Sequence, residues 1–403
     1  MAWLALLLSA CNSGGGGNSD SDAASDSDPV TSILPPTTLN DSSSSGEPTT
    51  STTTGEPDPT TSISSSTTSD LLKCDEFIPP AIEPVIPRVV LVLDKSGSML
   101  TLWDHDGDGA TDTVTRWSSL HAVVESILTG LDSAVNFGAL LFPALQATSN
   151  PNMTACIVNP DPLVPVGPMA AAAILDAIPA ADTMTIAGGT PSTEGILAAV
   201  DELSGLEGDE PKFIIFITDG AANCDPGQDQ LFDDYDDRLA TAVADARTAG
   251  FPTHVVGIDI LNELTPIEPG GNPDGINPYE KLNELAEIAG TARDGAEKFY
   301  NATNQIELQA ALMEITKTVL SCEIKLGEPV PENFYIQRVQ VGSDQDPDKL
   351  EYIGEDDQVS DCEAEGGWQY TSEARDAIIL CGAACEHYKA TGHVEIDYGC
   401  YIG

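Results

Sequence analysis

From Arg88 onward the apolar residues fall into two alternating rhythms. Arg88–Leu93 (RVVLVL) is an unbroken β-branched and apolar run, the pattern of a strand buried on both faces of a parallel sheet. Val135–Phe142, Lys212–Thr218 and Thr253–Ile258 repeat it. Between these runs the spacing turns helical: Leu120, Val123, Val124, Ile127, Leu128 and Leu131 share one stripe of a segment from Ser118 to Leu131. Ser192–Leu206, Asp233–Gly250, Tyr279–Gly290 and Ile306–Leu320 carry similar periods. Strand alternating with helix predicts an α/β module over residues 84–321, a doubly wound, mostly parallel sheet flanked by helices. In such sheets ligands bind beyond the carboxyl ends of the strands.

The flanks follow other rules. In residues 322–403, Phe334–Val341, Gly367–Tyr370, Ala377–Leu380 and His393–Tyr398 carry strand-like apolar and polar patterns, which predicts a small β-rich region. Residues 12–83 are dominated by Ser, Thr, Gly, Pro and Asp with no hydrophobic period; such a segment cannot bury enough surface to offset chain entropy, and a disordered linker is expected. Residues 2–10 form an apolar stretch ending in small residues, the pattern of a secretory signal. Leu8-Ser-Ala-Cys11 resembles the lipobox of bacterial lipoproteins, although no Lys or Arg precedes the apolar run. That resemblance implies lipidation of Cys11, an outer-membrane lipoprotein of a Gram-negative bacterium, and membrane contact through the lipid anchor only.

Composition narrows the partners. Sixteen Lys and Arg stand against 65 Asp and Glu, a formal charge of −49 over 403 residues. Such a field repels nucleic acid and anionic membrane surfaces. The acidity runs along the whole chain and so marks no single docking patch; it suits solubility, high salt or a calcium-rich medium. Of nine cysteines, eight remain when Cys11 is set aside, an even number that fits disulfides in an oxidising compartment. Cys156 and Cys224 fall in loops of the α/β module and are expected to pair, leaving Cys74 to join the module's entrance to the carboxyl region. The short spacing Cys381–Cys385, with His387 and His393 near it, is the alternative zinc signal, but no second spaced pair accompanies it.

Three predicted loops at one end of the sheet carry the chemistry. The first strand is followed by Asp94-Lys-Ser96-Gly-Ser98, the strand at 212–218 by Asp219-Gly220, and Gly188-Gly-Thr190-Pro opens a helix between them. Carboxylate and hydroxyl oxygens suit a hard cation such as Mg2+. Alternate residues on a turn let Asp94, Ser96 and Ser98 point at one centre. Asp94, Ser96, Ser98, Thr190 and Asp219 together resemble the metal-ion-dependent adhesion site of von Willebrand factor type A domains, and all five motif positions match. The resemblance covers residues 84–321. It implies that Ser96, Ser98 and Thr190 hold Mg2+ (or Mn2+ or Ca2+), with Asp94 and Asp219 bound directly or through water, and that an Asp or Glu of a protein partner completes the coordination. A second signal lies close by. Asp104-X-Asp106-X-Asp108-Gly, with Asp112 further on, resembles the front of an EF-hand calcium loop, but Thr115 stands where the closing Glu belongs.

The resulting expectation is a cell-surface protein that binds an acidic partner residue through a divalent ion and is not an enzyme. No nucleophile elbow, zinc-protease motif or phosphate-binding loop is present in the sequence. A structural or assembly subunit of a surface complex is the alternative, and a metal-dependent hydrolase a more distant one.

Overall fold

A computed structural model describes residues 77–150, 152–227, 231–267, 272–360, 362 and 366–401. The signal and lipidation segment with Cys11, the linker up to residue 76 and Cys74 lie outside the described residues.

The chain enters through a short strand, β1 (Ile82–Pro84). The RVVLVL run becomes β2 (Arg88–Asp94), buried from Val89 to its end. A two-residue hairpin, β3 (Leu102–Trp103) and β4 (Val114–Thr115), brackets the acidic loop. There follow α1 (Arg116–Leu131), β5 (Asn136–Phe142), β6 (Val164–Gly167), α2 (Ala171–Ala177), α3 (Ser192–Gly205) and β7 (Lys212–Thr218). Then come α4 (Arg238–Thr248), β8 (Thr253–Ile258), α5 (Pro278–Ala289), β9 (Tyr300–Ala302) and α6 (Gln305–Val319). Six strands form one sheet in the order β6-β5-β2-β7-β8-β9. β6 is antiparallel to β5, and every other pairing is parallel.

The side-chain alternation of β2 explains why Val89–Leu93 has no polar position. Val89, Leu91 and Leu93 pack with α1, α2 and α6 on one face of the sheet. Val90 and Val92 pack with α3, α4 and α5 on the other. Each such side chain contributes roughly 1.5–3 kcal/mol relative to exposure, so a polar residue anywhere from Val89 to Leu93 is costly. Local signals set the helix ends. Thr115 caps α1, its hydroxyl accepting the Ser118 N–H at 3.0 Å. Asn277 caps α5 ahead of Pro278, and Gly290 ends that helix in the left-handed conformation.

The carboxyl region adds β10 (Glu323–Leu326), β11 (Phe334–Val341), β12 (Leu350–Ile353), β13 (Gly367–Tyr370), β14 (Ala377–Cys381), α7 (Gly382–Thr391) and β15 (Val394–Cys400). It holds two antiparallel sheets, β1-β10-β14-β13 and β12-β11-β15. They close on a core of their own containing Ile324, Phe334, Val339, Trp368 and Ile378. Disulfides join Cys322 to Cys385 and Cys362 to Cys381, and Cys400 is also disulfide-bonded. The linker expected through residue 83 ends earlier. Phe77 stacks on Phe334 at 4.1 Å, and Ile82–Pro84 pair with β10 as an edge strand of the carboxyl region's sheet. Apolar Phe77 and Ile82 supply the burial that the Ser/Thr tract lacks. Among the described residues no helix is long and apolar enough to cross a membrane.

Candidate functional site

Asp94 is the last residue of β2, at the carboxyl edge of the sheet, and is fully buried. Its two oxygens are used by different partners. One accepts the Ser96 N–H at 2.7 Å, and the other accepts the Thr218 hydroxyl at 2.7 Å from the end of β7. The first bond folds the chain back so that Ser96 and Ser98 lie on one side of the turn, their hydroxyls 2.8 Å apart. Ser98 in turn donates to Asp219 at 2.7 Å. Four of the five motif residues are therefore joined in one chain of contacts running from β2 to β7.

Thr190 reaches the same rim from the loop ahead of α3. Its backbone N–H donates to the Asn223 side chain at 2.6 Å, and Gly97 N–H donates to the Gly188 carbonyl at 3.1 Å. Ser96, Ser98 and Thr190 line one groove of about 410 Å3, with Gly188, Gly189 and Asn223 in its wall. The glycines are needed for this approach. Gly188 has φ +122°, and a Cβ on Gly189 would come within 2.2 Å of the Phe232 ring and 2.7 Å of the Cys224 sulfur. The Cys156–Cys224 disulfide brackets the loop: Gly189 N–H donates to the Ala155 carbonyl, and Asn223 directly precedes Cys224. On the far side Lys95, only 2% exposed, donates from Nζ to the Ala187 carbonyl at 3.1 Å.

The electrostatics are those of a crowded anionic pocket. Burial first, and then the neighbouring Asp219 charge, push the Asp94 carboxyl up to about 7. Burial also raises Asp219, against the pull of the Arg116 guanidinium. Arg116, at the start of α1, donates to Asp219 at 3.0 Å and also to Asp259. Burial lowers Lys95. Two buried carboxylates and three hydroxyls form a hard-oxygen donor set, whose chemistry fits a small divalent cation and offers nothing to a soft one.

The acidic loop behaves differently. Asp104 accepts Gly107 N–H, Asp106 accepts Asp108 N–H and the Thr111 hydroxyl, and Asp108 accepts Ala110 N–H. Each carboxylate caps its own turn, and Asp112 lies exposed near the end of the loop. Among the described residues no group of three or more His, Cys, Asp or Glu side chains is placed to hold a metal ion. The structure thus does not bring the four aspartates around one centre.

Several residues of the rim carry no motif. Thr218, Asn223, Arg116, Asp259 and Lys95 orient the five, Thr218 from 124 residues beyond Asp94 and Arg116 from 103 residues before Asp219. Only Thr218 had a signal, as the residue before Asp219-Gly220.

No protein-family model and no curated protein matches this chain. Among solved structures it is similar to the pilus adhesin SpaC of Lactobacillus rhamnosus GG, at 17% identity and a TM-score of 0.42, over 68% of this chain and 38% of that one. The chain thus spans well under half of that adhesin's length. It is similar to the conserved hypothetical protein BatB of Bacteroides thetaiotaomicron, at 17% identity and a TM-score of 0.35, over 58% of this chain and 99% of that one. It is also similar to the PilB minor pilin of Streptococcus sanguinis, at 17% identity and a TM-score of 0.38, over 59% of this chain and 62% of that one.

Proposed function

We propose that this chain is a secreted or cell-surface binding protein built on a von Willebrand factor A-type module, anchored through a lipid on Cys11. Its rim holds a divalent cation, and an acidic side chain of a protein partner binds there without turnover. The observation that carries the reading is the convergence of Asp94 and Asp219 from two neighbouring strands, both buried, bridged by the Ser96 and Ser98 hydroxyls. Burial, and then the Asp219 charge, make ionised Asp94 costly, and a bound cation would relieve that cost. When bound, a divalent ion supplies Lewis acidity toward one further oxygen. Ser96, Ser98 and Thr190 are neutral donors and leave the ion's charge incompletely quenched. The groove over them is open to an incoming carboxylate. Three disulfides among the described residues support an oxidising, extracytoplasmic setting.

The test is direct. Isothermal titration of the full chain with Mg2+ and Mn2+ is expected to give one site, and Asp94→Ala is expected to weaken it by more than about 100-fold with an unchanged far-UV circular dichroism spectrum. Pull-down from a surface extract should then retain its partner in Mg2+ and release it in chelator. Ion binding by the folded Asp94→Ala protein at wild-type affinity would sink the reading.

A further inference from the structure

Arg116 occupies a position that helix electrostatics disfavours. It opens α1, where the helix dipole is positive and a cationic side chain is unfavourable. Its guanidinium is nevertheless 13% exposed and fixed from two directions, donating from Nη1 to Asp219 Oδ2 and from Nη2 to Asp259 Oδ2. Nε is buried without a hydrogen-bond partner. Asp259 directly follows β8 and has φ +54°, a left-handed backbone that non-glycine residues seldom adopt. Its own N–H is tied to the Ala302 carbonyl at 2.8 Å. The backbone at the end of β8 is thus bent in an unfavourable sense at the residue that grips Arg116.

The consequence falls on Asp219. With Oδ2 taken by the guanidinium, only Oδ1 faces Ser98 and the rim. Asp94 is restrained in the same way, each of its oxygens already accepting one bond, from Ser96 N–H and from Thr218. Calcium takes six to eight oxygens in flexible geometry, a number reached more easily when a carboxylate can turn both oxygens toward it, whereas magnesium demands a near-octahedral set of six.

We propose that Arg116 is the specificity-determining residue of the rim: by holding back one oxygen of Asp219 it makes the site prefer a small six-coordinate ion, Mg2+ or Mn2+, over Ca2+. The inference rests on the cation-binding reading given above and adds to it the residue that sets the ion's size class. Arg116 is a positioning residue, acting through Asp219.

The experiment is competition for Mn2+, read by the electron paramagnetic resonance signal of the free ion, with Mg2+ or Ca2+ as competitor and the full chain as receptor. Wild type, Arg116→Met and Asp259→Asn are compared. Wild type should give up Mn2+ to Mg2+ far more readily than to Ca2+. In Arg116→Met the Mg2+-to-Ca2+ preference should fall by roughly tenfold or more, the scale of one lost charge-assisted bond. Loss of a positive charge alone would tighten both ions together and leave that ratio unmoved, so the ratio separates the two effects. Asp259→Asn keeps a residue type that tolerates the left-handed backbone while loosening the guanidinium, and should shift the ratio the same way by less. If Arg116→Met fails to fold in chelator, the Asp259→Asn ratio decides. A folded variant with an unchanged ratio overturns the role of Arg116 alone; failure of wild type to bind Mn2+ overturns the cation reading with it.

Discussion

His254 shows how burying a single side chain makes its contribution to stability depend on pH. It sits second in β8, 8% exposed and tilted against Phe213 at 6.2 Å between ring centroids. Burial lowers its pKa from 6.5 to about 4, and its Nδ1 has no hydrogen-bond partner. At this position the folded chain resists a proton that the unfolded chain accepts, so the His254 contribution to stability rises with pH across this window, opposite in sense to that of Asp94. The contribution is intact above pH 6.5 and is lost progressively as the pH falls toward 4. At about 1.4 kcal/mol per pH unit it amounts to about 3 kcal/mol. Urea unfolding of wild type and His254→Leu between pH 7.5 and 4.5 should show a steeper acid loss in wild type; parallel curves would refute the assignment. At this same scale the sequence is a partial guide to the rim. That Asp94, Ser96, Ser98, Thr190 and Asp219 share one rim was legible from the place of each motif just beyond a strand end or ahead of a helix. Arg116 was not, since its partners Asp219 and Asp259 lie 103 and 143 residues away and no local pattern requires an arginine there.

At the scale of elements, the disulfide next to the rim carries a prediction of its own. Cys156–Cys224 closes a separation of 68 residues and brackets the loop that presents Thr190. Replacing both cysteines with alanine should cost roughly 3–4 kcal/mol by release of the unfolded chain. It should also weaken the proposed Mn2+ binding, since Asn223, the acceptor for Thr190 N–H, loses its neighbour's anchor. Unfolding and Mn2+ titration of the double variant measure both effects; lowered stability with unchanged affinity would show the disulfide to be structural only. Pairing of Cys156 with Cys224 was expected from their loop positions. So were the strands at 212–218 and 253–258, whose apolar runs end where the structure ends them. Other elements escaped for physical reasons. β6 contains Pro165 and ends in Gly167, residues that read as a turn but are tolerated on an antiparallel edge. β9 is three residues long, too short to show a period. α7 has a weak apolar face, Ala384 and Tyr388, and is tied down by the Cys322–Cys385 bond rather than by periodicity.

For the part of the molecule from residue 77 onward, the chain's route is the informative feature. The segment entering the α/β module first completes the carboxyl region: Ile82–Pro84 pair with Ile324–Leu326, the Gly327 N–H donates to the Ala81 carbonyl at 2.8 Å, and Phe77 packs between Phe334 and Tyr398. The carboxyl region is thus continuous in space but drawn from two stretches of sequence, and residues 322–403 alone lack one edge strand and one aromatic of their core. The α/β module, by contrast, takes both of its apolar layers from residues 89–319. A fragment of residues 86–320 should therefore fold cooperatively and keep the rim formed by Asp94, Ser96, Ser98, Thr190 and Asp219, and with it the proposed Mn2+ binding. A fragment of residues 322–403 should be less stable than the same fragment preceded by residues 77–85 through a flexible Gly/Ser link. Exposure of a β10 edge should also make the shorter piece prone to associate, because unpaired strand edges recruit other chains. Thermal unfolding and sedimentation of the three fragments settle it: equal stability with and without residues 77–85 would mean that β1 decorates the carboxyl sheet without supporting it.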